Sequence, residues 1–160
     1  MLKVKIIAVG KIKEKFYTDA CNEYIKRLGA FCSISVVEIQ EYKCSDNPSL
    51  SEIQTVLKKE GERILDAIPD GALVIPMCIE GKELSSTELA QKIDAVSVDG
   101  VSTICFVIGG SFGLDDRVKE KGKLRLSMSR MTFPHMLARV MLLEQIYRAL
   151  SINKGTKYHK

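Results

Sequence analysis

The chain has 160 residues, 46% hydrophobic and 28% charged, a globular balance that suits one domain, residues 1–160, whose core needs no metal or disulfide. Its net charge of +4 and pI near 8.8 stop just short of the pI of about 9 that marks a dedicated nucleic-acid-binding domain. No apolar run approaches the roughly 18 residues of a membrane span, and the opening MLKVKIIAVGK reads as a strand, not a secretory leader, so a cytoplasmic address is expected.

Residues 2–9 alternate, then turn wholly apolar, and Gly10 stops them, as in a strand. Residues 14–28 place Phe16, Ala20, Tyr24 and Leu28 on one helical face, with Gly29 suited to the C-cap. Residues 32–39 are a β-branched strand, and residues 40–49 a polar loop with Asn47-Pro48. Residues 50–68 predict a helix with Ile53, Val56, Leu57, Ile64 and Leu65 on its inner face. Residues 73–79 read as a buried strand with a turn at Gly81, and Ser85-Ser86-Thr87-Glu88 is a capping box that opens a helix to about Val96. Residues 101–108 are another apolar strand, ending in Gly109-Gly110-Ser111-Phe112-Gly113. A short helix over residues 115–121, a last strand over 124–128 and a helix from Pro134 to about Ser151 complete the chain. Strands that alternate with helices predict an α/β fold, a mainly parallel sheet with helices on both faces. Ligands of such sheets bind beyond the carboxyl ends of the strands, here the loops after Val9, Ile79, Ile108 and Met128.

The five cysteines are odd in number and include no CxxC pair, which argues against a disulfide framework and a zinc site; Cys78 and Cys105 are expected to be small core residues. The distribution of charge says more than its total. Arg117, Lys119, Lys121, Lys123 and Arg125 are opposed within their run only by Glu120, no acid follows Glu144, and Lys11, Lys13 and Lys15 form a third basic group. Each group alone is an ordinary solvated face; three on one small domain point to a polyanionic partner.

Three segments could carry chemistry. The glycine loop at 109–113 follows a strand, the setting of a nucleotide loop, although its spacing matches neither GxGxxG nor a P-loop, and a plain tight turn explains it equally. Residues 126–135 (LSMSRMTFPH) expose small polar groups and backbone to an adenine edge, or simply cap the next helix through Ser129 or Thr132. That helix carries His135, Arg139, Glu144 and Arg148 within a wide apolar stripe; Glu144 and Arg148 stand at i,i+4, so a structural ion pair competes with a functional carboxylate. The stripe is too wide for one partner, which makes Leu143 and Tyr147 candidates for a contact between two copies. The tail joins Lys154, Lys157 and Lys160 to Tyr158 and His159, groups that can hold phosphate and stack on a flipped base.

The stretches VIGGSFGL, LSMSRMTFPHMLARVMLLEQIYRAL and terminal YHK closely resemble the large-subunit rRNA pseudouridine N3-methyltransferases, short members of the SPOUT class; KIIAVGKIKEKF and KEGERIL are similar to that family too, so the likeness spans the chain. The resemblance implies a C-terminal deep trefoil knot, an exception to normal connection rules. It implies S-adenosyl-L-methionine as cofactor, with contacts at Met77, Gly109, Met128, Ser129, Arg130, Met131, Thr132 and Phe133. It implies a homodimer in which one subunit's tail completes the other's site, large-subunit (23S) rRNA in the assembled ribosome as substrate, and no membrane or metal partner. For the methyl transfer, Glu144 is the first candidate for a base or base-orienting group and His159 the second. Arg139 and Lys160 are candidates for holding phosphate or the imide anion. Lys154, Tyr158, His159 and Lys160 would meet the RNA. Two other readings stand beside this one: a non-enzymatic rRNA-binding assembly factor that needs no cofactor, and an enzyme of some other nucleotide.

Overall fold

Runs that are apolar on both faces of a strand belong in the middle of a sheet. A computed structural model describing residues 1–160 puts them there. In chain order the elements are β1 (Lys3–Val9), α1 (Lys15–Leu28), β2 (Ser33–Ile39), α2 (Leu50–Ala67), β3 (Leu73–Glu83), α3 (Ser86–Val98), β4 (Thr103–Ile108), α4 (Asp116–Lys119), β5 (Leu126–Ser127) and α5 (His135–Asn153). The sheet order is β2-β1-β4-β3-β5, and every pairing is parallel. Central β1 and β4 are buried on both faces from Ile6 to Val9 and from Ile104 to Ile108. Edge strand β2 alternates between exposed and half-buried residues, as a strand with one solvated face should.

Successive residues of these strands feed two cores. Val4, Ile6, Ala8, Ile104, Phe106 and Ile108 point to one face, where they meet Leu28 of α1, Leu89 and Ile93 of α3, and Leu142, Leu143 and Ile146 of α5. Ile7, Val9, Cys105 and Val107 point to the other, against Ile64 of α2, Val118 of α4 and Leu114 just before it. Cys78 and Cys105 are core residues, as expected, and burial pushes the Cys105 thiol up to about 11. Ser85 and Glu88 form the expected capping box, and Ser49 with Glu52 caps α2 in the same way.

Three expectations are corrected. No turn forms at Gly81: β3 runs through it, and its register against β5 slips so that Met77 and Lys82 both face Leu126. A Cβ at Gly81 would lie 2.8 Å from the carbonyl carbon of Arg125, so this glycine admits the neighbouring strand. Phe16 is not on the inner face of α1 but 65% exposed, while Cys21 and Leu28 are buried. Leu143 is fully buried in the chain's own core, so it cannot face a second copy. Gly29 is the C-cap of α1, as expected, and takes that place with a right-handed φ of −57°.

Candidate active site

Parallel strands deliver their following loops to one edge of the sheet. Residues 77–80 of β3 and the loops after β4 and β5 border a cavity of about 740 Å³ there. Met77, Gly109, Met128, Ser129, Met131, Thr132 and Phe133 line it; of the eight expected cofactor contacts only Arg130 does not. The glycine loop closes on itself, since Gly110 bridges Gly113 and the Gly113 N–H donates to the Gly110 carbonyl at 3.1 Å. A Cβ at Gly109 would lie 2.6 Å from the Gly113 carbonyl carbon. Gly109 is therefore required by the loop's own backbone, and the space for a ligand is a consequence. In the next wall, Ser129 caps no helix; its hydroxyl accepts from the Met131 N–H at 3.0 Å, and α5 starts after Pro134 with no side-chain cap. This turn leaves Met131 72% exposed at the rim.

Sequence reasoning missed Glu80 and Lys119, which also line the cavity and pair at 2.6 Å. The ammonium holds the Glu80 carboxyl below its usual range, and Glu80 in turn raises Lys119. The two are 39 residues apart and only the sheet order joins them. His135 and Ala138, from the first turn of α5, complete the wall.

Glu144 lies elsewhere. It borders a second groove of about 440 Å³ with Tyr24, Leu89, Val140 and Met141; Leu126 and Met128 line both spaces and so form the partition. The Glu144 carboxylate accepts from Arg148 at 2.6 Å, from Gln145 at 2.8 Å and from the Tyr158 hydroxyl at 3.1 Å. The Arg148 guanidinium also sits 4.7 Å from the Tyr158 ring centre and 3.3 Å from His159 Nδ1. Tyr147 meets Tyr158 edge-on at 4.7 Å and also packs near Tyr24 and Phe31. Burial and the Glu144 contact push the Tyr158 phenol up to about 12. The structure thus joins Glu144, Tyr158 and His159, with the tail folded onto its own helix, and leaves Lys154 and Lys160 exposed.

Arg139 is not brought to either space. It is 3% exposed, pairs with Glu38 at 2.7 Å and donates to the Gly10 carbonyl at 3.1 Å. This clasp ties α5 to the ends of β1 and β2. No group of three His, Cys, Asp or Glu side chains is placed to hold a metal ion, and no helix is long and apolar enough to cross a membrane.

A family model described as "Predicted SPOUT methyltransferase" matches residues 2–159. The chain is 48% identical over 159 residues to the ribosomal RNA large subunit methyltransferase H of Clostridium acetobutylicum, covering 99% of this chain and 100% of that protein. It is 48% identical over 159 residues, with the same coverage, to the protein of that name in Bifidobacterium adolescentis. Among solved structures, a crystal structure of a hypothetical protein superposes with a TM-score of 0.51 at 13% identity, over 94% of this chain and 68% of that one, a likeness of fold alone.

Proposed function

This chain belongs to the SPOUT methyltransferase family, and we propose that it methylates large-subunit rRNA with S-adenosyl-L-methionine, at N3 of a pseudouridine. The observation that carries this reading is the strand-end cavity: seven of the eight residues expected to touch the cofactor line one space. Its volume of about 740 Å³ lies within the range of small-molecule pockets, roughly 300–1,000 Å³. Its lining suits the group, with apolar Met77, Met128 and Phe133 beside the small polar Ser129 and Thr132 and the backbone of Gly109. The relatives named as large-subunit rRNA methyltransferases support the substrate class.

The bound cofactor supplies an electrophilic methyl on a sulfonium. The chain's own task is to align the acceptor nitrogen and manage its proton. Good orientation contributes roughly 7–11 kcal/mol, and a positioned base a further 10²–10⁴-fold or so. Glu144 holds Tyr158 and, through Arg148, faces His159. It is the orienting group of the tail, and His159, held beside Arg148, is the second candidate for the base. Lys154 and Lys160 neutralise phosphate. Arg139 acts from the interior, through the Gly10 turn it holds.

The reading includes a homodimer in which one copy's tail completes the other's active site, beside the cofactor cavity. The partition of Leu126 and Met128 separates each chain's tail cluster from its own cavity, and Val140 and Met141 leave an apolar groove on α5 for the partner. Light scattering at micromolar concentration should return a dimer; a monomer refutes this part. The C-terminal trefoil knot, action on the assembled ribosome and a cytoplasmic address belong to the same reading. The direct test is methylation of unmodified ribosomes with labelled cofactor, followed by mapping of the nucleotide. A label on another base refutes the N3-pseudouridine assignment. Absence of S-adenosylmethionine binding by calorimetry favours the non-enzymatic assembly factor.

A further inference from the structure

The β1–α1 turn takes no part in the cavity or the tail cluster, yet with the start of α1 it is strongly basic: residues 10–16 hold Lys11, Lys13 and Lys15 against Glu14 alone. We propose that this turn is a docking surface for RNA, with Lys11 and Lys13 on phosphates and Phe16 against an unstacked base. The proposal rests on the rRNA reading above and names where that substrate lands.

Placement is the first support. β1 and β4 are neighbours, and Ala8 stands opposite Ile108, so the chain leaves β1 at Gly10 beside the point where it leaves β4 at Gly109. A Cβ at Gly10 would lie 3.1 Å from Met136 Cε and 3.6 Å from His135 Nε2, and His135 lines the cavity. An RNA strand lying on this turn is therefore next to the site of methyl transfer.

Rigidity is the second. Gly10 has φ of +93°, donates to the Ile39 carbonyl at 2.8 Å and accepts from Arg139 at 3.1 Å. The Ile12 N–H donates to Glu38 at 3.3 Å, and Glu38 is itself paired with buried Arg139. The backbone is pinned from three sides while the side chains of Lys11, Lys13 and Phe16 project into solvent. The turn is thus held in one shape before a partner arrives, so little backbone freedom is lost on binding.

Composition is the third. Lys15 pairs with Asp19 at 2.7 Å, but Lys11 and Lys13 have no carboxylate within ion-pair distance. Phe16 is 65% exposed, tilted against Tyr17 with ring centres 4.4 Å apart. Free cations beside an exposed aromatic match single-stranded RNA, where cations take phosphate and rings take bases. An acidic protein partner would use the lysines and leave the ring without a role.

The test measures methyl incorporation into unmodified ribosomes at several salt concentrations, beside filter binding of the same ribosomes. Lys11→Gln/Lys13→Gln should raise KM about tenfold, leave kcat and S-adenosylmethionine affinity unchanged, and reduce the slope of log binding constant on log salt by about 1.4, the value for two phosphates of a single strand. Phe16→Ala should raise KM about tenfold with no change of slope, and Phe16→Tyr should restore it. Unchanged KM in both variants overturns the proposal. So does a raised KM with an unchanged salt slope in the lysine variant, which would mean a ribosomal protein, or conversion to a monomer by Phe16→Ala, which would mean a second copy. Binding that depends on the lysines without any methylation by the unaltered protein would refute the methyltransferase reading and uphold the docking surface.

Discussion

Two carboxylates that leave bulk water are treated in opposite ways, and the contrast separates the two halves of the site. Glu144, in the tail cluster, has donors from three residues and is part of a network of side chains. Glu60, on α2 behind the glycine loop, is 3% exposed and accepts one hydrogen bond, from the Tyr42 N–H at 3.0 Å. A Cβ at Gly110 would lie 3.2 Å from its Oε1. The cofactor cavity is shaped by backbone at strand ends, with side chains that lean on it from behind. The tail cluster stands on α5 and the turn that follows it, but Glu144, Arg148, Tyr158 and His159 are joined by side-chain contacts alone. The first should therefore be sensitive to added volume and the second to deleted groups.

The largest effect follows from deletion. Removing Tyr158, His159 and Lys160 should lower ribosome methylation by about 100-fold or more, the scale of a positioned proton-transfer group. Cofactor affinity should stay within about twofold, because the cavity has no tail residue in its wall. Equal losses of affinity and rate would merge the two regions into one. Next in size is added volume. Gly109→Val should weaken S-adenosylmethionine binding at least about tenfold in calorimetry, since the branched side chain displaces the backbone of Gly113. Unaltered affinity in a folded variant removes the cavity assignment. Mixed dimers of the two variants sharpen the comparison further. One composite site is whole and the other doubly broken, so activity should return to about half in a two-fold symmetric dimer with shared sites. No rescue above either parent would assign each tail to its own chain.

The contrast also explains what could be read from sequence. Backbone features follow local pattern, so the strands, the capping box at Ser85 and the loops at 109–113 and 128–133 were legible from apolar runs, caps and glycines. Parallel topology pointed to the segments after Ile79, Ile108 and Met128, which line the cavity, and to the turn after Val9, which does not; the particular contacts came only with the family likeness. The misses are tertiary. Phe16 fits the helical period of α1, yet the packing surface ends before its turn. Gly81 looks like a stop, and its reason is the backbone of Arg125 on another strand. Lys119 is legible only as one of a basic run, and nothing local pairs it with Glu80, 39 residues earlier. Arg139 shares the helix of Glu144, but a helical wheel cannot say that its partner is Glu38, 101 residues earlier.

The smallest effect tests the treatment of Glu60 itself. Burial raises the Glu60 carboxyl above its ordinary range; the Tyr42 N–H opposes this only in part. A folded-state value above the unfolded one means that folding favours the protonated form. The stability linked to this group is complete below the ordinary carboxylate range and is lost as pH rises through the raised value. At pH 7 the charged side chain is thus a net cost behind the loop. Glu60→Gln keeps an acceptor for the Tyr42 N–H and removes the charge. It should melt a few degrees higher than the unaltered protein at pH 7, given about 2–4 °C per kcal/mol for a chain of this size. The gap should close as both proteins are acidified to about pH 4, where Glu60 is neutral anyway. The pH dependence is the deciding feature, because a change of packing alone would shift both ends of the range equally. A gap that is constant with pH, or that widens in acid, would show that the Glu60 carboxylate is well accommodated behind Gly110. The two carboxylates would then be alike, and the contrast between the regions would rest on the backbone alone.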